Sequence, residues 1–395
     1  LLPADRDVLA AAAILGGDAR VAWVSSVAGV PAEAAVRAGI KAGVLVDAGD
    51  LVRFAHASLR EEMVTSLEPE RRRALHLAAA RTLGKKSAAQ KADVAVHLLQ
   101  AGREHAAEAA KAAIAASEEM GARFAFEDAA RLLEKARDAV EDLDEADDAL
   151  AGRLLCALGR VRLDGGDVEA GRRLCVEAAM AGHKLGDPDL VADAALAYGS
   201  RQVEGLLDPN LTELLQGALA ALPPTSRAKR ARVQARLAAA LQPHEDPSLP
   251  VAMAREAASE ARAIADRPAM LPVLFDASSA LFGAALADER KKLDEECVRL
   301  AEAFDDWRRA QRSRLRVVYD LVELGDTVAA SRMLDAWTQH AERLLQPERA
   351  WRAPLLRAML AEMEGRDDDA HADRDRVAAS PDAAAQTQLG IHSIC

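Results

Sequence analysis

An all-α fold built of paired helices, interrupted by one β-hairpin near the start, is predicted for this chain of 395 residues. Three observations lead there. Hydrophobic residues make up 50% of the chain but aromatic residues only 3%, so its core is made of Ala, Leu and Val. Small side chains let helix backbones approach closely, whereas a sandwich or barrel would want more β-branched and aromatic residues. From about residue 90 onward, helix-spaced apolar stretches of about 14–20 residues alternate with short Gly, Asp or Pro turns. Finally, one turn phrase returns at a fixed interval.

The first third reads differently from the rest. Pro3 suits a first helical turn, since its missing N–H costs nothing there. Val8, Leu9, Ala12 and Leu15 follow at helical spacing until Gly16-Gly17 stops the run. A second helix covers Val21–Ala28, and a third runs from Pro31 through Ile40 to Gly43. Between Val44 and Phe54 two short apolar runs flank Asp47-Ala48-Gly49-Asp50, which reads as a hairpin. Three helices followed by a hairpin is the order of a winged helix, here assigned to residues 1–68. Its third helix offers only Arg37 and Lys41, too few base-reading side chains for a DNA recognition helix. His56 then opens a helix, and Pro69 opens another that Gly84 closes. The segment Leu83–Ser87 is not a phosphate-binding loop: Ala79 stands at the first glycine's place and a helix precedes it instead of a strand.

Residues 69–104 are read as linking helices and 105–395 as repeats. The clearest unit is Leu150–Leu185, in which Gly165-Gly166-Asp167 separates two helices lined by Leu158, Gly159, Gly171, Leu174 and Cys175. The phrase returns at Leu324-Gly325-Asp326 and at Glu364-Gly365-Arg366, a step of 40 from Gly325 to Gly365. Weaker turns fall near Gly205, Pro243 and Ala287. Further punctuation stands at Gly186-Asp187-Pro188, Pro223-Pro224, Asp266-Arg267-Pro268, Asp305-Asp306 and Gln346-Pro347. A fixed helix-pair period marks a tetratricopeptide-like α-solenoid, slightly longer than the ~34-residue standard. Pro381 is expected to open one more helix. The opening residues read as the interior of a longer polypeptide, and the repeats as cut short at the end.

A net charge of −12 argues against general nucleic-acid affinity. Cys156, Cys175, Cys297 and Cys395 are scattered without a C-x-x-C pair, as expected of reduced thiols in a cytoplasmic protein. No apolar run reaches the ~18–20 residues of a membrane span. No nucleophile–base pair or metal-ligand cluster stands out, so no catalysis, cofactor or metal is expected of this chain. The acidic runs Glu141–Asp148 and Arg366–Asp369 read as solvated turns, lacking the spacing of a calcium loop. The basic stretches Ser226–Arg236 and Trp307–Arg316 read as helix faces with acidic neighbours opposite. Trp307, Trp337 and Trp351 are candidates for partner anchors, with packing between helix pairs as the competing role.

The stretch from Arg53 to Gly84, then Val94–Gly102, then the long-period repeats, resembles the region downstream of the nucleotide-binding domain in large bacterial STAND-type ATPases. These include ATP-dependent LuxR-type transcriptional activators and related proteins led by a Ser/Thr kinase or nucleotide cyclase domain. The resemblance covers nearly the whole chain and implies an upstream effector that binds ATP or ADP, then a winged helix, then a repeat sensor for a protein or small-molecule inducer. It also implies a site. Such proteins often place a Met-His-Asp motif after the winged-helix hairpin, whose His reaches the β-phosphate of ADP. Ala55-His56-Ala57 occupies that place, with Arg53 and Arg60 near enough to assist. The His is kept and its two neighbours are not. The residues themselves leave a second role open, in which His56 caps the next helix or packs on the hairpin. The functions in view are therefore a regulatory binding module of an ATPase, the sensor region of a kinase or cyclase, and a passive scaffold.

Overall fold

The computed structural model describes residues 3–86, 90–143, 147–201, 206–282, 285–343 and 351–379. The expected turns at Gly205 and Gln346-Pro347 and the expected helix at Pro381 lie outside these residues. The chain divides into two compact units, Leu1–Arg201 and Gln202–Cys395. Twenty α-helices account for nearly all of the described structure, beside one small sheet.

The first unit opens with α1 (Pro3–Leu15), β1 (Ala19–Arg20), α2 (Val21–Ala28), α3 (Glu33–Lys41), β2 (Leu45–Ala48), β3 (Leu51–Phe54) and α4 (Ala57–Thr65). The hairpin forms as expected, with Leu45 opposite Phe54 and Ala48 opposite Leu51. Gly49 takes a positive φ in its turn, and its N–H bonds the Asp47 carboxylate at 2.9 Å. The structure adds β1, whose two residues pair with Val52 and Leu51 and complete an antiparallel sheet in the order β1-β3-β2. Two residues are too few to show a period-2 pattern, so the sequence carries no sign of this strand. Val8, Leu9, Val24, Val36, Leu45 and Val52 share one core with Leu75 of α5 (Pro69–Lys86). In α4 no side chain is buried.

The rest of this unit is α6 (Lys91–Ala101), α7 (Ala106–Ala122), α8 (Phe126–Glu141), α9 (Asp148–Gly165), α10 (Val168–Leu185) and α11 (Pro188–Tyr198). Sequential neighbours from α5 to α11 pack on one another, and α9 also packs on α7 and α11. The second unit holds α12 (Pro209–Ala221), α13 (Arg227–Ala240), α14 (Ser248–Ile264), α15 (Arg267–Ala280) and α16 (Ala287–Ala303). It continues with α17 (Trp307–Glu323), α18 (Thr327–Arg343), α19 (Arg352–Met363) and α20 (Asp367–Ala378). Here α13 and α15 approach backbone to backbone. By contrast, α14 and α16 are bridged by long ion pairs, Arg255–Glu289 and Arg262–Glu296, both 2.6 Å. α17 reaches α15 through a side chain, Arg316 donating to Phe275 O at 2.8 Å.

The repeated turn phrase has one physical content. In α9, the N–H of Gly166 donates to Leu163 O at 3.1 Å and that of Asp167 donates to Arg162 O at 2.9 Å. Gly166 sits at φ 99°, where a side chain would be strained. Asp167 then caps α10 by accepting from the N–H of Ala170 at 3.2 Å. One residue pair both stops a helix and starts the next. The same paired bonds recur at Gly186-Asp187, Asp305-Asp306, Gly325-Asp326 and Gly365-Arg366, with Asp187, Asp306 and Asp326 capping in the same way. Left-handed residues stand at 265, 285, 305 and 325, in steps of 20, and again at 365, 40 further on. At Ala265, Ala285 and Asp305 this conformation lacks a glycine to ease it, at a cost of about 1 kcal/mol each.

Candidate functional site

The exit of the hairpin is built by short-range bonds. The N–H of Ala55 donates to Val44 O at 2.9 Å, closing the sheet. His56 follows in extended conformation (φ −136°, ψ 138°) as the residue before α4, and its carbonyl accepts from Leu59 and Arg60 at 3.2 and 3.4 Å. Its ring is exposed and makes no cap bond. Arg53 is exposed on β3 opposite Val46. Arg60 is half-buried, one guanidinium nitrogen lying 2.9 Å from where a Cβ on Gly16 would stand. His56 is thus exposed at the hairpin exit, with Arg53 on the strand before it and Arg60 beside Gly16 at the end of α1.

The three tryptophans are not brought together. Trp307 begins α17 with 38% of its surface exposed. Trp337 is 3% exposed within the α17–α18–α19 core, its indole N–H donating to Gln311 O at 3.1 Å while the Gln311 amide donates to Trp337 O at 3.1 Å. Trp351 is half-buried beside α19, with Arg352 over its ring.

The second unit buries a cluster of charged side chains. Arg290 of α16 is 1% exposed and pairs with Asp320 (0% exposed) and Glu323 of α17, while its guanidinium also stacks on Phe282. Arg316 donates to Phe275 O at 2.8 Å and stands 3.8 Å from Asp294, which accepts from the Ser278 hydroxyl at 2.5 Å. Arg236 pairs with buried Asp276 at 2.8 Å. Burial pushes the Asp320 carboxyl up to about 6, against the opposing pull of its bond from Arg290. A signal existed: Asp276 and Asp320 each interrupt an apolar helical run, where a charge must be paired to be tolerated. The basic stretches do meet acidic partners, as Arg227–Glu260 at 2.5 Å also shows. Cys156, Cys175 and Cys297 are buried; burial pushes the Cys175 thiol up to about 12.

His76 of α5 and His97 of α6 face each other with their Nδ1 atoms 3.0 Å apart. Such a bond needs one Nδ1–H and one bare Nδ1. Burial holds both near 4, and for His76 the neighbouring His97 and Arg72 add to it. The folded values lie below the ordinary 6.5, so this pair's stability is full above pH ~6.5 and is lost as pH falls through 6.5 toward 4. Acidification from pH 7 to 4 is expected to cost about 3 kcal/mol through His97 alone. Thermal melting across that range should flatten in His97→Leu; an equally steep fall in the variant would assign the loss elsewhere.

Among the described residues no group of three or more His, Cys, Asp or Glu could hold a metal ion, and no helix is long and apolar enough to cross a membrane. The fold and its turns define a tetratricopeptide-like helical-repeat protein. No protein family and no curated relative matches it in sequence. Among solved structures it is similar to a signal transduction ATPase with numerous domains (STAND) that carries a tetratricopeptide repeat sensor, from Pyrococcus horikoshii. That likeness has a TM-score of 0.50 at 13% identity and covers 98% of this chain and 65% of that one. The chain thus spans about two thirds of that protein. It is also similar to a Rap protein complexed with competence and sporulation factor (TM-score 0.50, 13% identity, 70% of this chain and 77% of that one). A third similar structure is a Rap conjugation gene regulator of plasmid pLS20 in complex with the Phr* peptide (TM-score 0.50, 12% identity, 85% and 91%). These likenesses establish the fold.

Proposed function

We propose that this chain is the sensor and relay segment of a larger STAND-type signalling ATPase. Its repeats receive a peptide or protein, and its amino-terminal part, read as a winged helix, passes the event to an upstream nucleotide-binding domain. The observation that carries this reading is the likeness to the STAND protein, which extends over 98% of this chain and so takes in the amino-terminal module as well as the repeats. The peptide complexes of the two Rap structures support a peptide or protein as the inducer. ATP or ADP belongs to the upstream domain, and this chain contributes recognition and coupling without catalysis.

In this reading His56 is the phosphate contact, assisted by Arg53 and Arg60. Its exposure at the hairpin exit supports the relay over a passive scaffold, which would have it buried among apolar neighbours. A charge-assisted imidazole–phosphate bond contributes ~1.5–3 kcal/mol, so His56→Ala in the full-length protein should weaken ADP retention about tenfold or more. Basal output should rise as the ADP-bound closed state is lost. Thermal melting of the 395-residue chain should stay where it was. A large drop in melting, or unchanged ADP retention, refutes the assignment.

A further inference from the structure

The second unit places different charges at matching positions of its repeat. Between α14 and α16, Arg255 pairs with Glu289 at 2.6 Å. Two 40-residue steps further on, the same positions hold Asp335 of α18 and Asp369 of α20. The left-handed residues Ala285 and Gly365, ahead of α16 and α20, keep the same interval. Opposite charges close the first gap; two carboxylates cannot close the second. A cavity of about 210 Å³ lies there, lined by α18, α19 and α20. Arg357 of α19 donates to Asp335 at 3.3 Å, and Arg366, ahead of α20, donates to Asp369 at 2.5 Å. Within α20, Arg376 donates to Asp373 at 2.7 Å. All six of these side chains line the cavity, together with the buried Leu334 and Leu360. Asp335 and Asp369 are 64% and 62% exposed, so a ligand arriving from solvent reaches both.

Three guanidinium groups and three carboxylates share this lining, so it carries no net charge and offers both signs at short range. A simple anion meets the carboxylates and a simple cation meets the arginines, each at a cost. A ligand with an ammonium and a carboxylate a few bonds apart satisfies both. The volume falls short of the ~300–1,000 Å³ of drug-sized ligand sites, which selects for something small. We propose that the cavity binds a free α-amino acid, its ammonium between Asp335 and Asp369 and its carboxylate on Arg357 and Arg376. Among the described residues, each of these two arginines bonds a single carboxylate. A guanidinium has five N–H donors in a planar fork, so both keep donors for a second carboxylate. The bound ammonium supplies between α18 and α20 the bridge that Arg255 and Glu289 make between α14 and α16. This is a second ligand, and it does not depend on the peptide or protein of the proposed function.

Thermal melting of the full chain with each common amino acid at millimolar concentration, followed by calorimetric titration of those that raise the melting temperature, tests it. At least one should bind saturably. Its N-acetyl derivative, which lacks the ammonium, and its carboxamide, which lacks the carboxylate, should each bind about tenfold or more weakly. Asp335→Asn and Arg357→Gln should weaken the free amino acid by a similar factor. Melting of these variants without ligand should stay close to that of the parent chain, since the Asp335–Arg357 pair lies near the surface. An N-acetyl derivative that binds as well as its parent, or inorganic phosphate that binds more tightly, would make the cavity an anion site and overturn the proposal. Binding that survives both substitutions puts the amino acid elsewhere and overturns it too, as does the absence of saturable binding by any amino acid. None of these results bears on ADP retention by the full-length protein, so the proposed function stands or falls separately.

Discussion

Gly171→Val is expected to destabilise the first unit by about 3 kcal/mol or more. At this point α9 and α10 cross with almost nothing between their backbones. A Cβ on Gly171 would stand 2.5 Å from Leu163 Cγ and 2.8 Å from both Gly159 O and Leu163 N. Two of those three atoms are backbone, so no side-chain rotation relieves the clash and the helices must separate. Separation exposes Leu158 and Leu174, members of one shared core. Repeat proteins are stabilised largely by nearest-neighbour interfaces, so a splayed pair also loosens its contacts with α8 and α11. Gly84→Ala is the matched control, because the nearest atom to its Cβ is Val94 Cγ2 at 4.0 Å. Within helix α5 that substitution should stabilise by about 0.5–1 kcal/mol. Urea unfolding of the two variants should shift the midpoint in opposite directions; a neutral Gly171→Val would mean that the helices do not cross so closely.

Breaking the buried pair in the second unit should have a comparable effect. Arg290→Met removes the cation beside Asp320 and leaves a carboxylate with no exposure and no other charged partner among its hydrogen bonds, at a cost of about 3–5 kcal/mol at pH 7.5. With Arg290 present the Asp320 carboxyl already stands near 6, above its ordinary 3.8. A folded value raised in this way means that the group's stabilising contribution is full below pH ~3.8 and is lost as pH rises through 6. Without Arg290 the carboxyl should hold its proton still more firmly. The cost of Arg290→Met should therefore shrink on acidification below pH 6. The double variant Arg290→Met/Asp320→Leu, in which no charge is stranded, should be less costly than Arg290→Met alone. A double variant whose loss equals the sum of the singles would show that the two residues are not coupled.

The turns at Gly186-Asp187, Gly325-Asp326 and Gly365 were legible because their chemistry is local. A residue tolerating positive φ, and where present an Asp cap, act over about five residues, all visible in one stretch of sequence. The same holds for the hairpin around Asp47–Asp50 and for the position of His56 at its exit. Gly159 and Gly171 were legible as small residues in a helix pair, though not how closely their backbones meet. Short segments whose conformation depends on distant partners were not legible. Strand β1 exists because Ala19 and Arg20 lie beside Val52 and Leu51, more than thirty residues on. The turns at Asp266-Arg267-Pro268, Ala287 and Asp305-Asp306 were legible as punctuation, but not that Ala265, Ala285 and Asp305 adopt a glycine's conformation there. The charged cluster was hidden for the same reason as β1. Asp276 and Arg236 are 40 residues apart, and Arg290 and Asp320 30. Sequence alone determined where helices begin, end and repeat, since backbone hydrogen bonding is satisfied within a turn. Which charges are buried was decided only when helices separated by a whole repeat packed together, because desolvation depends on what covers a side chain and not on its neighbours in the chain.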